Sequence, residues 1–161
     1  TVPSVYEIIT LREASEELEK PVLEAEKNVN AAALELTQAE ADLSAVRQKV
    51  QQAVAKVNAA VGEANKLAAE VELQQVYAQQ SAAEAVVAAK KALHAECKAA
   101  FVKAKGNDEE ASLLVVEAEK HQADVAKKEA EKNAFLQAAA NKQEQLRQLL
   151  ANQGGQEEKH K

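Results

Sequence analysis

From Val22 to Val57 an apolar residue recurs every seventh place: Val22, Val29, Leu36, Leu43, Val50 and Val57. Taken as heptad position a, this row puts Ala25, Ala32, Ala39, Val46, Ala53 and Ala60 at position d. No strand can use such a pattern, whose natural home is a long helix packed along one seam. Alanine at d lets a neighbouring helix approach closely. The same register runs back through Leu18, Ser15, Leu11 and Ile8, so Pro21 interrupts the hydrogen bonding without shifting the seam. A helix over about 4–60, kinked or restarted at Pro21, is expected. Val54 and Val61 add a second apolar row at position e, broader than a two-stranded coil needs, and this favours a bundle.

A second face follows on Leu73, Val76, Ala83, Val87, His94, Cys97 and Phe101, flanked by Val86 and Leu93. The change of face around Asn58 to Gly62 suggests a reversal there, although one Gly and one Asn make a weak turn signal. Without that reversal the chain would form one very long helix beside a shorter one, and the opening seam would need a second chain to cover it. The strongest punctuation is Lys105-Gly106-Asn107-Asp108-Glu109-Glu110. Gly106 suits the residue just past a helix, Asn107 or Asp108 suits an N-cap, and the glutamates suit the positive end of the next helix. A third helix then carries Leu114, Ala118, His121, Val125, Phe135, Ala139, Leu146 and Leu149 inward, with a poorly apolar middle at 127–133.

The expected architecture is therefore all-α: an elongated antiparallel three-helix bundle with coiled-coil-like packing. Residues 1–152 form a single domain with helices at about 4–60, 63–105 and 108–152, and 153–161 form a polar flexible tail. Composition agrees. Alanine is roughly a fifth of the chain and aromatics only 2%, and 161 residues suffice to bury a core without a disulfide or a metal.

Charge narrows the partners. A net charge of −6 with both signs interspersed offers no basic face to nucleic acid or to an anionic bilayer. No run of 18 apolar residues exists to form a transmembrane segment. An alanine and valine face inserts weakly into a lipid surface, which disfavours membrane-surface binding. The lone Cys97 excludes an intramolecular disulfide.

One constellation has ligand spacing. Folding the chain about Gly106 sets Phe101 near Leu114, Cys97 near Ala118 and His94 near His121. His94-x-x-Cys97 on one helix then faces Glu117-x-x-x-His121 on the other, as a zinc-like site would require. The simpler and preferred reading makes both histidines edge residues of an apolar layer and Cys97 a small buried hydrophobe, with no metal bound. In either case two histidines in one layer resist joint protonation and would loosen the bundle below about pH 6. There is no Gly-rich phosphate loop, no nucleophile elbow and no H-E-x-x-H, so no catalytic residue and no cofactor are expected. The carboxylates among lysines form a solvated face.

The stretches AAALELTQAEADLSAV (31–46) and AAEAVVAAKKALHAECKAAF (82–101), the turn KGNDEE and the helix layout resemble the glutamic acid/alanine-rich surface proteins of African trypanosomes, over about Val5 to Asn152. The resemblance implies a coat protein held at the cell surface by a C-terminal glycosylphosphatidylinositol (GPI) anchor, with a helical bundle like the core of variant surface glycoproteins. Its partners would be neighbouring copies in the coat, or host and vector molecules, and the chain itself would be a monomer or weak dimer. With the C-terminus toward the membrane, Lys105, Gly106, Asn107, Asp108, Glu109 and Glu110 would be the distal, exposed surface. A ligand-binding receptor on the same bundle and a cytosolic coiled-coil interaction protein are the alternatives.

Overall fold

The computed structural model describes Val2 and residues 4–159, with side chains as far as Gly154. Three helices account for nearly all of it: α1 (Val5–Ala59), α2 (Glu63–Ala104) and α3 (Asp108–Lys159). The chain is an all-α three-helix bundle, and no strand occurs among the described residues.

Packing divides it into two compact units, each built from a piece of every helix. The first comprises Thr1–Gln38 with Ala89–Gln122, and contains the Gly106 turn. The second comprises Ala39–Ala88 with Ala123–Lys161, and contains the Gly62 turn.

In the second unit the chain does reverse at Gly62. Gly62 takes a left-handed φ of +89°, which an L side chain rarely adopts, and its carbonyl accepts from the Lys66 amide at 3.0 Å to open α2. Lys56 of α1 then meets Glu72 of α2 at 2.9 Å. On the other side of α2, Lys142 reaches Glu70 and Lys128 reaches Glu84, at 3.1 and 3.0 Å. The α3 number rises as the α2 number falls, so these helices run antiparallel. The core is Ala39, Leu43, Val71, Val76, Ala85 and Val87 with their neighbours, and Tyr77 stacks at a tilt on Phe135 with ring centres 5.2 Å apart.

The first unit is leaner. Its buried side chains are all alanine: Ala32, Ala92, Ala95, Ala99, Ala111 and Ala118. Larger apolar groups such as Val29, Leu36, Phe101 and Leu114 are half-buried around them. Lys90 of α2 faces Glu35 of α1 at 3.9 Å, and Gln122 of α3 donates to Glu96 of α2 at 2.8 Å.

The heptad seam of α1 packs throughout 22–60, every a and d position being buried or half-buried. Two expectations need correction. The backward extension of the seam covers nothing: Ile8, Leu11, Ser15 and Leu18 are exposed, because no α2 or α3 residue stands opposite them. Val61 at position e is 82% exposed, since it falls in the turn rather than on the helix. At Pro21, where a kink or a restart is expected, α1 runs through as one helix, so the restart is not found. The carbonyl that proline leaves without a donor lies among exposed residues and can bond water.

Beyond Asn152, where a flexible tail is expected from the sequence, α3 continues through Gly154 and Gly155 to Lys159. Gln156, Glu157, Glu158 and Lys159 are good helix formers, and propagating an existing helix needs no new nucleus. Gln153 and Gly154 are exposed, as the polar composition requires. Residues 160 and 161 of that tail lie outside the described residues.

Candidate functional site

The Gly106 turn of the first unit is built from local bonds. As α2 ends, the Gly106 amide donates to the Lys103 carbonyl and the Asn107 amide to the Val102 carbonyl, both at 2.9 Å. Gly106, at φ +93°, makes this double closure possible. Asn107 then opens α3: its Oδ1 accepts from the Glu110 amide at 3.1 Å, and its Nδ2 donates to the Glu110 carboxylate at 3.0 Å. One residue thus closes one helix and caps the next, and Asn107 rather than Asp108 is the N-cap. Asp108, Glu109 and Glu110 occupy the positive first turn of α3. The Lys105 ammonium lies 4.6 Å from the centre of the Phe101 ring and shields its face. All six residues from Lys105 to Glu110 are exposed.

A short way from the turn, still within the first unit, an open groove of about 300 Å³ gathers His94, Lys91 and Lys98 of α2, Glu117 and His121 of α3, and Leu36 of α1. His94 and His121 share this groove, as folding about Gly106 anticipates. Glu117 Oε1 sits 3.6 Å from His121 Nε2, one helical turn away. Burial pushes the His94 imidazole below its ordinary range, Lys98 pushes it further, and Glu117 partly restores it.

Cys97 does not join this groove. Its thiol is half-buried and raised above the usual range, first by burial and then by Glu96 and by Glu35 of α1. A thiol held protonated is a poor nucleophile and a poor metal ligand. Among the described residues no group of three or more His, Cys, Asp or Glu side chains is placed to hold a metal ion. What the groove gathers is two imidazoles, two ammonium groups and one carboxylate in a half-solvated space.

Two features escape a reading by large apolar residues. In α2 a heptad row of small residues, Val71, Ala78, Ala85, Ala92 and Ala99, is buried throughout, with Ser81, Ala88 and Ala95 beside it. The alanine repeat is present in the sequence, and it marks α2 as the helix that packs on both sides. In α3 the seam steps by threes and fours through Lys128, Lys132 and Lys142, all half-buried. Lys128 is clamped between Glu84 and Glu131, whose hydrogen bonds raise its pKa. The poorly apolar middle of α3 is therefore a packed face whose lysine stems lie along the seam while their charges reach α2 carboxylates or a neighbouring glutamate.

No helix of the described residues is long and apolar enough to cross a membrane. No family model, curated protein or solved structure matches the chain.

Proposed function

We propose that this chain is a non-enzymatic coat protein of a parasite cell surface, held by a C-terminal GPI anchor, with the Lys105–Glu110 turn facing outward. The observation that carries this reading is the alanine core. In the first unit every buried side chain is alanine, so its three helices approach closely. A thin module is what dense side-by-side display requires. Much of the exposed surface is charged and of mixed sign, which suits solubility at close quarters. An anchor beyond α3 would leave the self-capped turn at the start of that helix pointing away from the membrane. The turn needs no partner to hold its shape, as a surface constantly presented to host or vector molecules should not.

The test is to treat intact expressing cells with a phosphatidylinositol-specific phospholipase C and blot the supernatant. Release is expected, together with binding of antibodies against 105–110, but not 58–63, to untreated cells. Retention inside the cell after surface proteolysis would instead favour a cytosolic coiled-coil interaction protein. The bare apolar face at the start of α1 is the observation that supports that second reading.

A further inference from the structure

The first turns of α1 carry an apolar face that none of the described residues covers. Val5, Ile8, Ile9, Leu11 and Leu18 are exposed, Leu18 at 77%, and the first α1 residue to lose solvent is Val22. The cause is the length of α2. Glu35 pairs with Lys90, and α2 ends at Ala104, so in an antiparallel pair α2 runs out opposite about residue 21. Roughly 25 Å of α1 extends past the Gly106 turn.

This segment is a built helix. Ser4 and Glu7 cap it reciprocally, the Ser4 amide donating to the Glu7 carboxylate and the Glu7 amide to Ser4 Oγ, both at 3.2 Å. Its face is also in phase with the packed seam: Ile8, Leu11, Ser15 and Leu18 continue, without a skipped residue, the heptad that packs from Val22 onward. A seam that keeps its register beyond the end of its partners within the chain is shaped for a partner outside it.

We propose that this segment pairs with the same segment of a second copy of the chain, as a parallel two-stranded coiled coil. Ile8 at position a with Leu11 and Leu18 at position d follows the pattern that favours two parallel strands, with Ser15 at the other a position lowering its stability. The flanking charges agree. In a parallel pair Glu7, at g, lies beside Arg12, at e, of the second copy, twice by symmetry, and Arg12 has no ion pair among the described residues. The next such contact sets Ala14 beside Glu19, without conflict. An antiparallel pair using the same layers would bring Arg12 against Arg12 of the second copy. Glu13, Glu16 and Glu17 fall on b, c and f, away from the seam. Two heptads bury less than a stable dimer needs, so the pair is weak in dilute solution and strengthens where copies are held side by side in one orientation. The proposal stands under either reading of function.

The test uses the full chain carrying Cys97→Ser. Sedimentation equilibrium up to about millimolar concentration should show a reversible monomer–dimer equilibrium. Leu11→Glu with Leu18→Glu should abolish it while leaving the thermal melt unchanged, since neither residue packs within the chain. Arg12→Glu, which sets like charges at the Glu7 contact on both sides of the pair and leaves the cap intact, should weaken association roughly fivefold. Oxidation of Ile8→Cys should give a covalent dimer. A chain that stays monomeric throughout, a dimer that survives the double glutamate variant, or a cross-link formed only between Ile8→Cys and Leu18→Cys chains would overturn the proposal.

Discussion

Gly106 and Asn107 carry the turn of the first unit almost alone. No heavy atom lies within 4 Å of where a Cβ on Gly106 would sit, so Gly106→Ala meets no clash, and its cost is the left-handed backbone alone, about 1–2 kcal/mol. Asn107→Ala removes the N-cap and should cost about 1 kcal/mol, both changes being measurable by urea unfolding. The groove histidines give a second expectation. The His94 imidazole is held below its ordinary value near 6.5, so the unfolded chain takes up that proton first. Stability is therefore full above that range and falls as the pH is lowered through it. Lys98 adds to the cost of that proton, while Glu117 opposes it. The Tm should be lower at pH 5.5 than at 7.5, and His94→Gln should shrink the difference; an equal drop in the variant would exclude His94 as its source. At this scale the sequence was informative wherever chemistry is local. Gly, Asn and Glu at 106, 107 and 110 announce a turn and a cap unaided, and a turn placed there brings His94 to His121. Cys97 was misplaced because the side of α2 on which it lies depends on where α1 packs, which no local rule supplies.

Among the elements, α1 is the most legible and the most misleading. Every a and d position its heptads name from Val22 to Ala60 is packed, yet the same periodicity continues to Ile8, where no described residue of α2 or α3 stands opposite. Periodicity reports which face is apolar, not how far the neighbours reach. Deleting residues 1–20 should accordingly leave the Tm within about 2 °C of the full chain, with Pro21 well suited to begin the shortened helix. A large loss would mean that the segment packs within the chain after all. In α3 the difficulty was the opposite. Lys128 and Lys142 count as polar in any binary pattern, so a continuous packed face reads as an interruption. A double-mutant cycle on Lys128 and Glu84, with alanine at each, should give a coupling of about 0.5–1 kcal/mol that shrinks in high salt. In α2 the alanine row was hidden by its smallness, since alanine contributes little apolar area and was passed over for Val and Leu.

Over the whole molecule the two units differ in what they bury. The first hides only alanine, whereas the second hides Leu43, Val71, Val76 and Val87 as well, and so removes more apolar surface from water per layer. Native-state hydrogen exchange should therefore find the slowest amides in the second unit and faster sub-global opening in the first. Equal protection in both would indicate that alanine packing contributes more than its area implies. The three-helix layout was legible from the seam and the Gly106 turn; the reversal at Gly62 needed the structure, because its single glycine resembles many that helices tolerate. The Gly106 turn has a further consequence, in genetic terms. Asn107 belongs at once to the end of α2 and the start of α3, so the connection has no residue to spare. One inserted codon would separate the Asn107 amide bond that closes α2 from the Oδ1 bond that caps α3. The side chains of Asp108 and Glu109, by contrast, face solvent. The gene can therefore change the appearance of this turn by point substitution, generation after generation, but not by lengthening it.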